Sequence, residues 1–164
     1  MDTPVKKQWA AAKFNGDFYC VTTYSGYRSI GADPMGKEHL LSPDVSDHEL
    51  GAAVLDALSA SRFLSLAEAY ELFDIGAVEQ RYSDWVTALM RRFGYQTRGA
   101  LFKNMSRCGV ESYEGKIKIR PSHHEKLESW TGDGIQASDQ VVLPEKSSPE
   151  EVGSALRLAF SRCT

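Results

Sequence analysis

Few residues of this chain have types and spacing that suggest chemistry. His123-His124-Glu125 stands out first. Adjacent residues on a strand point to opposite faces, and on a helix they splay by about 100°. One metal ion cannot easily use both imidazoles. His124 and Glu128 have the spacing that a helix would align, but two donors fall short of the three or four that a zinc ion takes. The competing reading is a helix start after Pro121, with Ser122-x-x-Glu125 in capping-box spacing and the imidazoles as polar packing groups.

Gly132-Asp133-Gly134-Ile135-Gln136-Ala137 matches the loose pattern G-x-G-x-x-A. A dinucleotide site needs a strand before it and a helix after it, so that the helix N-terminus meets the pyrophosphate. Polar residues flank the pattern here, which reads as a turn-rich loop. Gly26-Tyr27-Arg28-Ser29-Ile30-Gly31 lacks the glycine two residues before the serine that a nucleophile elbow requires. Cys20, Cys108 and Cys163 are widely spaced, with no C-x-x-C pair. That pattern suits a reducing compartment. A spatial pair such as Cys108 with His123 stays open, but a buried structural cysteine is the usual case. No nucleophile with its base and no full metal shell emerges, so neither a cofactor nor an enzyme is expected.

Charge is distributed unevenly. Arg91, Arg92, Lys103, Arg107, Lys116, Lys118, Arg120 and Lys126 make the middle of the chain basic, diluted by Glu111 and Glu114. A solvated sheet face explains them better than a nucleic-acid surface, which wants aromatic interleaving and an uncompensated field. Residues 63–80 are the opposite: they carry Glu68, Glu71, Asp74 and Glu79 and no Lys or Arg. They form either the solvent side of a helix or a docking surface for a basic partner, since complementary charge speeds encounter and selects partners. Residues 131–151, with Asp133, Asp139, Glu145, Glu150 and Glu151 against Lys146, are a second acidic candidate.

The whole chain sets the frame for these residues. It has 164 residues, 42% hydrophobic and 25% charged, with 19 Lys+Arg against 22 Asp+Glu and a formal net charge of −3. That is one ordinary globular domain over 1–164 without a dedicated nucleic-acid binder's basic excess. The first seven residues lack an apolar signal core, and no run is long enough to span a membrane. The cytosol is the expected place.

The elements follow from turns, caps and periodicity. Residues 9–14 and 18–24 read as strands joined at Asn15-Gly16, the strongest short hairpin signal. Apolar groups on both faces of the second place it inside a sheet. Residues 25–45 read as loop with a short strand near 28–31. A helix should start at Ser46, with Ser46-x-x-Glu49 in capping-box spacing and Leu50, Val54, Leu55 and Leu58 on one stripe. A second should cover 77–93, with Val78, Tyr82, Trp85, Val86, Leu89 and Phe93 as its apolar face and Gly94 as C-cap.

Glu114-Gly115 should turn a hairpin that sets Val110 opposite Ile119 and Glu111 opposite Lys118. Residues 98–105 should add a strand, 141–143 another, and 148–162 the last helix, with Val152, Ala155, Leu156, Ala159 and Cys163 inward. Ser46-x-x-Glu49-Leu50-Gly51-x-Ala53-Val54 echoes Ser148-x-x-Glu151-Val152-Gly153-x-Ala155-Leu156. The echo reads as one helix-start solution used twice. The fold class expected is α+β: a mixed, largely antiparallel sheet of about five or six strands packed with three or four helices.

Four strings carry a resemblance that goes further. They are Leu41-Ser42-Pro43-Asp44 with Glu49-Leu50-Gly51, Arg81-Tyr82-x-x-Trp85 with Phe93-Gly94-Tyr95, Ala100-Leu101-Phe102-Lys103-Asn104-Met105, and Pro121-Ser122-His123-His124-Glu125-Lys126-Leu127. Together the chain resembles the contact-dependent growth inhibition immunity proteins of Gram-negative bacteria, the CdiI type. The resemblance implies a non-enzymatic cytosolic binder that neutralises the C-terminal toxin domain of a cognate CdiA effector. Such toxins are often nucleases, many acting on tRNA. An acidic inhibitor could then cover a basic cleft, with Glu68, Glu71, Asp74 and Glu79 pairing with toxin Lys or Arg, and Tyr70 and Phe73 as anchors beside them. The alternatives are a small metal-dependent hydrolase using His123, His124 and Cys108, or a nucleic-acid-binding regulator using the 91–126 region.

Overall fold

A computed structural model describes residues 7–164; the start of the chain, where the sequence shows no apolar signal core, lies outside the described residues except for Lys7. The first hairpin joins β1 (Gln8–Phe14) to β2 (Tyr19–Gly26). Phe14 pairs with Tyr19, so the connection has four residues. The Asn15 side chain holds it by accepting from the N–H groups of Asp17 and Phe18, and Gly16 takes a φ of 93°.

β2 is an interior strand, as its two apolar faces require. One of its edges pairs with β1, and the other takes β3 (Ile30–Ala32) and β4 (Glu38–Leu41) in succession. β4 is missing from the sequence reading: it is short and lies at the edge, with little alternation to betray it. β5 (Ser106–Tyr113) takes the other edge of β1, followed by β6 (Lys116–Arg120) and β9 (Val141–Pro144). Val110 faces Ile119 and Glu111 faces Lys118, the register set by the Glu114-Gly115 turn. The fold is α+β: among the described residues, a seven-stranded antiparallel sheet with five α-helices.

One face of this sheet is covered by α1 (Asp47–Ser59) and α5 (Pro149–Ser161), capped by Ser46 and Ser148. Leu50, Val54, Leu58, Val152 and Leu156 pack on Val21, Cys108, Val110, Ile117 and Ile119. The echo in sequence has a tertiary meaning. A Cβ on Gly51 would lie 1.7 Å from the Pro149 carbonyl oxygen, and a Cβ on Gly153 would lie 1.9 Å from that of Asp47. Each helix thus uses a glycine to admit the other's first turn. Arg157 adds an ion pair to Asp47 at 3.0 Å.

The other face is partly covered by α3 (Ile75–Phe93) and α4 (Arg98–Phe102). Phe18 and Cys20 pack there on Val86, Leu89, Leu101, Phe102 and Met105. Gly94 ends α3 at a φ of 74°.

Two expectations need correction. Residues 98–105 begin as helix, not strand. Both edges of β1 and of β5 are already paired, and Thr97 accepts from the N–H of Ala100 to start a helical turn. The Ser122 helix does not form either. Its hydroxyl donates to the Arg107 carbonyl, and the following residues make β7 (His123–Lys126), which pairs with β8 (Ser129–Thr131).

Candidate protein-binding face

The acidic segment forms an elbow of two helices. Ser65 caps α2 (Leu66–Leu72) through a reciprocal box with Glu68. This Ser-x-x-Glu signal is present in the sequence, but no residue of α2 is buried, so hydrophobic periodicity could not reveal the helix. Phe73 ends α2, and Asp74 starts α3 two residues ahead of the expected position by accepting from the N–H of Ala77 at 3.1 Å. Arg81, the first base after the acidic run, donates to the Leu72 carbonyl and closes the C-terminal end of α2.

A buried polar network holds the elbow against the sheet. Arg62 grips the Asp33 carboxylate with two bonds of 2.7 and 2.9 Å. The Ser25 hydroxyl donates to the same carboxylate at 2.7 Å and accepts from the Arg62 backbone N–H at 2.9 Å. Burial pushes the Asp33 carboxyl up, but hydrogen bonds from Arg62, Ser25 and the Met35 N–H outweigh it and hold it below the usual value. Leu64, fully buried next to Arg62, donates its N–H to the Gly26 carbonyl at 2.8 Å. At the far end, Phe73 covers Gly31 of β3, where a Cβ would come within 2.7 Å of its ring.

The structure brings the six expected contact residues onto this one elbow, and it divides their tasks. Glu68 is occupied by its box: hydrogen bonds from Ser65 hold its carboxyl below the ordinary range. Asp74 is occupied as a cap, and Phe73 is half-buried on β3. Tyr70, Glu71 and Glu79 project outward, with no hydrogen bond or ion pair among the described residues. Tyr70 is 73% exposed. The sequence reading missed the apolar company of these residues: Ile75 at 75% exposure, Leu66 at 56%, and Tyr27, Ile30 and Phe63 at the border. In sequence such side chains look like core; only the fold shows that nothing covers them.

α3 itself splits. Val86 and Leu89 are buried, while Val78 and Tyr82, expected on the same inward face, are exposed. Tyr82 donates to Glu128 at 2.7 Å, and Trp85 donates to Glu38 at 2.9 Å. These bonds tie the helix to the β7–β8 hairpin and to β4.

The remaining sites do other work. His124 stacks on Trp130, with ring centroids 5.0 Å apart, and His123 bonds Thr164 at 2.8 Å. No group of three His, Cys, Asp or Glu side chains converges among the described residues. Gly132–Ala137 leads into a three-residue 3-10 turn rather than a helix, so the dinucleotide pattern lacks its anion-binding end. Cys108 meets Cys163, not His123. In the second acidic candidate, Glu151 completes the capping box of α5: its N–H donates to the Ser148 hydroxyl and its carboxylate accepts from the Ser148 N–H. There, Glu150, Glu151 and Asp47 border a shallow groove with Val141, Leu143 and Leu158, beside the outer edge of β9.

Residues 8–163 match the family model described as CdiI, CDI immunity protein. The chain belongs to the CDI immunity protein family. It is 48% identical to the immunity protein CdiI-YPIII of Yersinia pseudotuberculosis serotype O:3 (strain YPIII), with 99% of each chain covered. Its fold is similar to a chain of the CdiA-CT/CdiI toxin and immunity complex from Yersinia pseudotuberculosis, at a TM-score of 0.91 and 48% identity, covering 98% of this chain and 99% of that one. A protein of unknown function from Neisseria meningitidis also matches at a TM-score of 0.91, with 38% identity over 100% and 99% of the two chains.

Proposed function

We propose that this CDI immunity protein binds and neutralises the C-terminal toxin domain of a cognate CdiA effector inside the cell, without catalysis of its own. Family membership and the likeness to a relative seen in a toxin and immunity complex support the partner class. The observation that carries the site is the α2–α3 elbow, where Tyr70 and Ile75 stand exposed beside the unpaired carboxylates of Glu71 and Glu79. Aromatic anchors rimmed by charge suit a protein interface. Carboxylates there would pair with Lys or Arg of a nuclease cleft, and cover of that cleft would stop the reaction.

Co-expression with the C-terminal domain of the neighbouring CdiA effector tests the partner: the two should co-purify, and growth should be rescued. The double variant Glu71→Lys/Glu79→Lys tests the site, because neither residue caps a helix. Affinity should fall at least tenfold, about 1.4 kcal/mol. A change within about threefold would remove the elbow from the interface.

A second reading has its own observation. Among the described residues β9 pairs only with β6, and its outer edge runs beside the acidic groove of α5. An edge strand can accept an added strand. Selective loss of affinity in Glu150→Lys, with the elbow variant unaffected, would favour that reading.

A further inference from the structure

Two thiols from distant parts of the chain meet on the α1–α5 side of the sheet. Cys108 lies on β5 and is fully buried; Cys163 follows α5 and is half-buried. Their sulfur atoms are 3.6 Å apart. The segment carrying Cys163 is laced in place. The Thr164 N–H donates to the Ser122 carbonyl at 3.1 Å, the His124 N–H donates to the Thr164 carbonyl at 2.8 Å, and the Cys163 N–H donates to the Phe160 carbonyl at 3.1 Å.

The two sulfurs differ in character. Burial pushes the Cys108 thiol well up. Hydrogen bonding from Cys108, aided by backbone at Ser122 and Arg107 and opposed by burial, brings Cys163 down to about 7. A thiolate is the reactive form, and a half-buried one is open to small oxidants. Cys20, on the other face of the sheet, is buried and pushed up to about 12.

We infer that Cys108 and Cys163 form an oxidisable dithiol, a modification site for hydrogen peroxide, with Cys163 reacting first and Cys108 closing an intramolecular disulfide. The Cys163 thiolate attacks one peroxide oxygen. The O–O bond breaks, giving a sulfenic acid and a hydroxide that takes up a proton from solvent. The Cys108 sulfur then attacks the Cys163 sulfur. Its proton goes to the departing hydroxyl, which leaves as water. In sum, two thiols and one peroxide give one disulfide and two waters. The sulfurs must close from 3.6 Å to about 2.05 Å. The bond would tie β5 to the end of α5.

The reduced full-length protein, treated with hydrogen peroxide, tests this. Expected are a mass loss of two hydrogens, a thiol count in denaturant falling from three to one, and a Cys108–Cys163 crosslinked peptide that dithiothreitol releases. Cys163→Ser should slow thiol loss at least tenfold. Cys108→Ala, which removes the hydrogen bond that lowers Cys163, should slow its oxidation and stop it at the oxygenated forms, with no disulfide. Retention of all three thiols, a chain-to-chain dimer through Cys163, or Cys163 carrying oxygen while Cys108 stays a free thiol would each overturn the proposal.

Discussion

The α1–α5 layer and the α2–α3 elbow are both built from capped helices, yet they use their side chains in opposite ways. In the first, caps at Ser46 and Ser148 start helices whose stripes vanish into the core. Gly51 and Gly153 let the backbones touch. In the second, caps at Ser65 and Asp74 start helices that bury little: no residue of α2 and only Val86 and Leu89 of α3. Hydrogen bonds and the Arg62–Asp33 grip hold the elbow where apolar packing does not. Residues that hold the fold thus lie in one region, and residues that the fold leaves uncovered lie in the other. Burial of apolar area contributes about 25 cal/mol per Å², so exposed Tyr70 and Ile75 would supply that energy at the proposed interface.

Four substitutions put this contrast to the test. Gly153→Ala should have the largest effect. Its new Cβ meets backbone, not a flexible side chain, and urea unfolding should show a loss of about 3 kcal/mol. A loss under about 1 kcal/mol would mean that the crossing is loose. Asp33→Ala should cost about 2 kcal/mol, because it strips the partner from Arg62 and from the Ser25 hydroxyl.

The same carboxyl makes stability depend on pH. Its folded pKa lies below its unfolded value, about 3.9. The unfolded chain therefore binds the proton more tightly. The contribution is fully present above about pH 4–5 and is lost as pH falls through the folded value. Acid titration of stability in Asp33→Ala should lack that component.

Asp74→Ala removes a cap and should cost about 1 kcal/mol. Circular dichroism and urea titration would check it. Smallest of all, Tyr70→Ala should change stability by less than about 0.5 kcal/mol, while toxin affinity drops at least tenfold. If its melting shifted as much as that of Asp74→Ala, the elbow would be packing against something in the fold, and the contrast would fail.

Much of the fold was legible because its signals are local. Asn15-Gly16 and Glu114-Gly115 mark turns within a few residues, and the second also sets the β5–β6 register through alternation. Ser46, Ser148 and Gly94 mark helix ends where they were expected. Errors arose where a local signal had a tertiary competitor. Ser122-x-x-Glu125 has box spacing, but the serine is drawn to the Arg107 carbonyl. Residues 98–105, expected as a strand beside the hairpin, find no free edge among β1 and β5. The candidate site was half legible. Its carboxylates stand out by charge, whereas Leu66 and Ile75 are indistinguishable from core residues until the packing is seen.

Local sequence is enough for the secondary-structure punctuation, the α+β class, the acidic run and the paired glycines at two helix starts. Each depends on residues within a turn or two of one another. Long-range packing settles that those two helices cross, that Cys108 meets Cys163, which carboxylates are used up as caps, and which apolar residues stay uncovered. These are outcomes of competition for a limited number of strand edges and core positions. Each stretch of strand edge accepts one neighbour and each core position one side chain, so the result belongs to the whole chain and not to any segment of it.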